Sequence, residues 1–366
     1  MTFCRQLANA SALTRPLLRA FVALCMFSSA SAFATQVQGQ VQGANAPIDG
    51  ATVTLWAASA DAPRQLAQTQ SDAGGRFTLS ADGNGADLYL VAKGGHAAAG
   101  KVNGDNPAVA MITVLGTAPP ANVVINEMTT VASVWTHNQF LNGTAIKGSA
   151  LSLRIAASNM PNFVDLETGG WGAAIQDPLN SNQTPTMANF ATIADALSGC
   201  ITMVTDDACD KLFAATTPLA GATPTDTLTA AEATAKYPGY QPERVFALLD
   251  AFYPVPKGKT LRPVPRMPYL SYTPSAWVLP LKFTGGGLNA PGKIMFDSEG
   301  NAWTGVNFII GSQASDDLWD GNLSKFAPNG TPLSPQTTGF TGGGIEGPGF
   351  GTAIDANDRV WVTRAG

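Results

Sequence analysis

The sequence predicts a multidomain, mainly β chain with a helical middle: a β-sandwich, a small α-helical domain, then one and a half blades of an incomplete β-propeller. Three observations carry this prediction. Period-two strand patterns fill residues 36–116, helical stripes run between 128 and 252, and the phrase FTGGGLNAPG at 283–292 returns as FTGGGIEGPG at 340–349. The composition agrees, because 13% charged residues with 38 glycines and 25 prolines favour strands, turns and small-residue helices over long charged helices. At 366 residues the chain exceeds one average domain, and its formal net charge of -5 supplies no basic surface for nucleic acid.

Residues 1–34 read as a signal peptide. Arg5, Arg15 and Arg19 are their only charges, an apolar run from Leu17 to about Phe27 follows, and Ala32-Phe33-Ala34 gives the small-x-small pattern of a cleavage site. The run is too short for a membrane span, which needs about 20 apolar residues. Cleavage after Ala34 removes three arginines and moves the net charge from -5 to -8. Leu24 stands before Cys25 where lipoprotein processing prefers a small residue, so a lipid anchor is the weaker reading. The expected location is periplasmic or extracellular, with no transmembrane segment in the mature chain.

Residues 35–118 alternate short strands with Gly, Asn and Asp turns. In Thr52-Val53-Thr54-Leu55-Trp56 the alternation puts Val53 and Leu55 on one face, as in a half-buried strand. In Ser71-Asp72-Ala73-Gly74-Gly75-Arg76-Phe77 the Asp and Gly residues predict a tight turn before the next strand. With Pro47-Ile48-Asp49-Gly50-Ala51-Thr52-Val53, this phrase resembles the carboxypeptidase regulatory-like (transthyretin-like) domains of secreted bacterial proteins. The resemblance implies a spacer or adhesive module without catalysis of its own.

Residues 119–253 change period. Met128, Val131, Ala132 and Trp135 fall at helical spacing, as do Phe190, Ile193, Ala194 and Leu197, and again Val245, Leu248, Leu249 and Phe252. Pro242 and Glu243 mark the start of the third helix. Cys200 and Cys209 are the cysteines left after signal removal, and in an exported chain their spacing predicts a disulfide closing a short loop between helices. Residues 254–280 are rich in proline and read as an extended linker. Their Gly258-Lys259-Thr260 lacks the earlier glycine of a phosphate-binding loop, Tyr253 standing in its place, so no nucleotide or other cofactor is expected.

Residues 281–366 contain the repeat. Aligning the two phrases with one extra residue in the second pairs Gly285, Gly286 and Gly287 with Gly342, Gly343 and Gly344, Asp297 with Asp355, and Trp303 with Trp361. A self-similar unit of short strands is the signature of a propeller blade, and the 57-residue spacing is lengthened by the insertion IIGSQASDDLWDGN. The wording P-G-x-x-x-D-x-x-G-N-x-W and L-S-K-F-x-P-N-G resembles NHL-type propellers similar to streptogramin B lyase. INEMTTVASVW at 125–135, the cysteine-bearing helical segment and FTGGG together resemble exported bacterial proteins with a helical domain before such a propeller. Since a propeller closes with four or more blades, residues 281–366 are expected to be a partial NHL-like propeller and the chain a fragment.

The resemblance to the lyase implies a histidine base with magnesium nearby. His96 and His137 lie outside the repeats and read as surface or capping side chains, so no catalytic residue carries over. No GxSxG elbow or unpaired cysteine offers a nucleophile. Asp316, Asp317 and Asp320, with Asn322, are weak candidates for a calcium loop, a solvated acidic loop being the ordinary reading. The glycine triplets are expected to serve backbone geometry and the two tryptophans the blade core. Two functions follow as expectations: a non-enzymatic exported scaffold binding an unknown protein, glycan or cell-surface ligand, or a carbon-oxygen lyase or hydrolase whose catalytic blades are missing from this chain.

Overall fold

The computed structural model describes residues 35–364 apart from 84, 103, 310 and 313–317. The expected signal peptide and the acidic residues Asp316 and Asp317 lie outside the described residues. From Thr35 the chain builds two sheets around one core. The strands are β1 (Thr35–Gly43), β2 (Ala46–Asp49), β3 (Thr52–Ala57), β4 (Arg64–Gln70), β5 (Arg76–Ala81), β6 (Leu88–Lys93), β7 (His96–Ala97), β8 (Ala110–Gly116) and β9 (Asn122–Ile125). One sheet runs β5-β1-β2-β7 with β9 parallel to β1, and the other is antiparallel in the order β4-β3-β6-β8. Val37, Phe77 and Leu79 from the first and Val53, Leu55 and Leu90 from the second meet in one buried cluster. The predicted turn before β5 forms because Asp72 Oδ1 accepts the backbone N–H groups of Gly74 and Arg76, each at 2.8 Å.

The helical part is built onto the edge of this pair of sheets. Its elements are α1 (Glu127–Thr136), a small hairpin of β10 (Leu141–Asn142) and β11 (Ala145–Ile146), α2 (Ala150–Ser158), α3 (Met160–Phe163), α4 (Ala173–Gln176), α5 (Pro178–Ser181), α6 (Thr186–Ile201), α7 (Ala208–Thr216), α8 (Thr227–Lys236), α9 (Pro242–Phe246) and α10 (Leu248–Phe252). The third predicted helix is therefore two short ones, broken at Ala247. Strand β8 ends its sheet, and such an edge normally leaves every second N–H unpaired. Here Ala110, Ile112 and Val114 donate outward to Thr227 Oγ1 at 3.0 Å, Thr130 Oγ1 at 3.2 Å and Ser133 Oγ at 3.0 Å. Helices α8 and α1 thus complete the edge with side-chain hydroxyls. This explains why β8 is buried along its whole length. Together with the pairing of β9 to β1, it makes the hydrophobic core continuous from Val37 to Leu279 across residue 118.

Residues 254–280 contain neither helix nor strand, yet they are not a free spacer. Trp277 is 1% exposed, and its carbonyl accepts the Trp135 indole N–H at 3.0 Å. A segment with no strand partner must satisfy its backbone otherwise. Helix α6 does this with polar residues every three positions: Thr186 donates to Pro280 O and Asn189 to Val278 O, while Thr192 and Asp195 accept from Leu270 and Arg266 N–H. The segment is a strap laid along α6. Cys200, at the end of that helix, forms the predicted disulfide with Cys209 in α7, with sulfurs 2.08 Å apart.

The C-terminal part holds a four-stranded antiparallel sheet and a hairpin. The sheet is β12 (Pro291–Phe296), β13 (Ala302–Val306), β14 (Asn322–Phe326) and β15 (Phe340–Thr341), and the hairpin is β16 (Thr352–Ile354) with β17 (Val360–Val362). No closed barrel occurs among the described residues. The hairpin and the turn Pro348–Phe350 pack on β12 and β13. Glycines permit this approach, since a Cβ on Gly292 would lie 2.0 Å from Gly349 O and one on Gly305 would lie 2.4 Å from the Pro348 carbonyl carbon. Phe308, Trp319 and Phe350 seal the same junction, with ring centroids 5.0 to 6.1 Å apart.

Candidate functional site

The two copies of the repeat have the same local geometry. Gly285, Gly286 and Gly287 have φ of 95°, 62° and 76°, and Gly342, Gly343 and Gly344 have 103°, 63° and 75°. Three successive residues at positive φ are accessible to glycine and strained for nearly everything else. The turns that follow β12 and β16 match as closely. Asp297 Oδ1 accepts from Glu299 and Asn301 N–H and its Oδ2 accepts from the Trp303 indole at 2.9 Å; Asp355 Oδ1 accepts from Asn357 and Arg359 N–H and its Oδ2 from the Trp361 indole at 3.1 Å. Burial pushes the Asp297 carboxyl up, but hydrogen bonds from Trp303, Asn301 and Lys325 outweigh it and hold the group well below the ordinary carboxylate range. Asp355 is lowered to about 2, by Arg359 N–H first and the Trp361 indole next.

The two tryptophans differ in surroundings. Trp303 is half-buried, stacked on Phe340 at 5.7 Å and covered by the Lys325 ammonium at 4.8 Å. Trp361, expected in the sheet core, is 60% exposed. Its strand pairs only with β16 among the described residues, so no further strand covers the ring.

Gly285 and Gly287 of the first triplet line a cleft of about 480 Å³ together with Asn289, Asp320, Asn322 and Gln336. Asp320 is fixed there by Asn289 Nδ2 on its Oδ2 and by Gly321 N–H on its Oδ1, both at 2.7 Å. Asn322, 5% exposed, donates from Nδ2 to Gly287 O at 3.1 Å. Each amide nitrogen makes one hydrogen bond this way, and Asn289 Oδ1 and Asn322 Oδ1, both buried, are left without a protein partner. Buried acceptors normally find a donor. The cleft carries one carboxylate, no cationic side chain, and the Gln336 amide and Thr337, Thr338 and Thr341 hydroxyls, which both donate and accept. Of the weak metal candidates only Asp320 is described, and among the described residues no three His, Cys, Asp or Glu side chains gather as a metal site. A larger apolar cavity of about 600 Å³ lies beside Trp171, Met160 and Leu166.

Both histidines lie elsewhere. His96 Nδ1 is 2.9 Å from Gly104 O on a sandwich loop. His137 ends α1, is 1% exposed rather than on the surface, and desolvation lowers its pKa to about 4, so it stays neutral. Asn322 is one of the oxygen ligands that the sequence offers for the acidic loop and here bonds Gly287 O instead, whereas nothing in the sequence singles out Asn289. Asn289 follows the first glycine triplet, but Glu346 stands at the aligned position of the second.

No family model matches the chain, and no curated protein matches it. Among solved structures, the crystal structure of a 9R-lipoxygenase from Cyanothece PCC8801 aligns at 11% identity and a TM-score of 0.19, over 87% of this chain and 39% of that one. Agreement at that level carries no argument about fold or function. Among the described residues no helix is long and apolar enough to cross a membrane.

Proposed function

We propose that this is an exported, non-enzymatic binding protein in which the sandwich and its helical layer carry NHL-like, blade-like repeat units, and that the glycine-triplet cleft receives the ligand. The observation that carries the reading is the position-by-position recurrence of the triple left-handed glycine and the Asp–Trp turn, with the second unit packed against the first through Gly292 and Gly305. Repetition of one unit around shared junctions is how propellers are assembled. The Asp320 carboxylate, the Gln336 amide and the hydroxyls of Thr337, Thr338 and Thr341 line the cleft with polar groups that can both accept and donate, with no cation among them, which suits a ligand rich in hydroxyls, such as a surface glycan. The disulfide and the reading of residues 1–34 as a signal peptide support export.

The test is a bacterial surface-glycan array probed with the full chain and with Asp320→Leu and Asn322→Leu. Binding by the wild type that falls at least tenfold in both variants, with unchanged circular dichroism, is the expected result. No binding to the array, or equal binding by the variants, refutes the assignment.

A further inference from the structure

Beneath the strap, two carboxylates face one guanidinium. Glu127 of α1 and Asp195 of α6 are both 0% exposed. Arg266 of the strap donates from Nε to Glu127 Oε1 at 2.8 Å, and its Nη2 lies 2.7 Å from the same oxygen without the alignment for a second hydrogen bond. The other Glu127 oxygen takes the Ala44 N–H at 3.4 Å. Asp195 makes no such ion pair. Its Oδ1 accepts only the Arg266 backbone N–H at 2.9 Å, and its Oδ2 has no protein partner. The hydroxyls of Ser198, three residues along α6, and of Tyr253, at the end of α10, are also buried and unpaired.

We propose that Asp195 holds a proton in the folded protein, and that this proton is the latch that seats the 254–280 strap on α6. The argument is one of charge. The single guanidinium is committed to Glu127, so an ionised Asp195 would be a second buried anion with one backbone hydrogen bond to stabilise it. An uncompensated buried charge is costly enough that the group neutralises instead. Protonation removes that charge and leaves the Arg266 backbone N–H as the one hydrogen bond that Asp195 accepts. The groups acting on Asp195 from the surrounding elements are Glu127 and Arg266, and the buried Tyr253 hydroxyl is itself pushed up by burial and by the Asp195 and Glu127 charges. Burial first, and then the Glu127 charge, push its carboxyl up to about 8, against the lowering effects of the Arg266 N–H and charge.

The direction of the switch follows. When the strap lifts, Asp195 is hydrated and its carboxyl returns toward the ordinary value of about 3.9. Between that value and about 8 the closed state keeps a proton that the open state has released. Opening therefore becomes about tenfold more favourable for each pH unit across the interval and levels off above it. Acid seats the strap, and neutral to mildly alkaline pH loosens it. The strap is suited to this, because side chains of α6 rather than a strand ladder hold its backbone.

Native-state hydrogen exchange at the Arg266 and Leu270 amides of the full chain, from pH 5 to 9, tests the latch against Asp195→Asn, which mimics the neutral acid. After correction for intrinsic exchange, the wild-type opening constant should climb about tenfold per unit and flatten near pH 8, while the variant stays level. A level wild-type profile overturns the proposal. Carbon-13 carboxyl NMR of the wild type gives an independent reading that survives a poorly folding variant: an Asp195 resonance titrating near pH 8 supports the latch, and one titrating below pH 5 overturns it.

Discussion

Thr130→Val should expose how the sandwich depends on its helical cover. The substitution keeps the shape of the side chain and removes one hydroxyl, the acceptor of the Ile112 N–H at 3.2 Å on the edge of β8. The same hydroxyl donates to Asn126 O at 2.7 Å, but that carbonyl also holds the Thr130 N–H at 2.9 Å and stays paired. The net loss is one buried, unsatisfied N–H, which costs about 1–3 kcal/mol. Thr234→Val is the control, because its hydroxyl bonds only the Ala230 carbonyl of its own helix at 2.9 Å, and removing it should cost less than about 1 kcal/mol. Adding Thr227→Val, on a different helix, removes the hydroxyl that both accepts the Ala110 N–H at 3.0 Å and donates to the Ala110 carbonyl at 2.6 Å, and should at least double the effect, since the sites are on separate elements. Urea unfolding followed by circular dichroism measures this as a lower midpoint at unchanged slope. Equal midpoints for Thr130→Val and Thr234→Val would refute the edge-capping argument.

Reducing the Cys200–Cys209 bridge, which spans a sequence separation of 9, should cost about 2.6 kcal/mol from loop-closure entropy; an unfolding midpoint insensitive to reductant would contradict it. Asp297 and Asp355 have lowered carboxyl pKa values, so their stabilisation is present above about pH 4 and lost as pH falls toward 2, the opposite sign to Asp195. Tryptophan fluorescence should report that acid loss and Asp297→Asn should remove the Trp303 part, whereas a spectrum constant down to pH 2 counts against the paired turns. Gly305→Val should lift the Pro348–Phe350 turn off β13 and cost about 1–3 kcal/mol, read as faster proteolysis after residue 330; unchanged cleavage would mean that the junction is not close-packed.

Local features were legible where local chemistry decides them. The Asp72 turn, the α1 and α6 stripes and the matched Asp–Trp turns each depend on residues within a few positions of one another. The third helix was misread as continuous because its apolar spacing survives the break at Ala247. The strap was read as a linker because prolines deny it a ladder, and its partners on α6 lie about 70 to 95 residues away. The cleft was only partly legible. The glycines signalled an unusual backbone, but what makes the site is which polar side chains gather around it, and that depends on contacts such as Asn289 with Asp320, 31 residues apart.

The sequence by itself determined the strand and helix periods, the repeat and its glycine conformations, and the disulfide pair, since each follows from short-range spacing or side-chain identity. What packing alone settled is that hydroxyls of α1 and α8 complete the edge of β8, and that Asp195 lies dry with one backbone N–H on it while the Arg266 guanidinium pairs with Glu127. Both depend on desolvation, and whether a polar group loses its water is set by what packs over it from elsewhere in the chain.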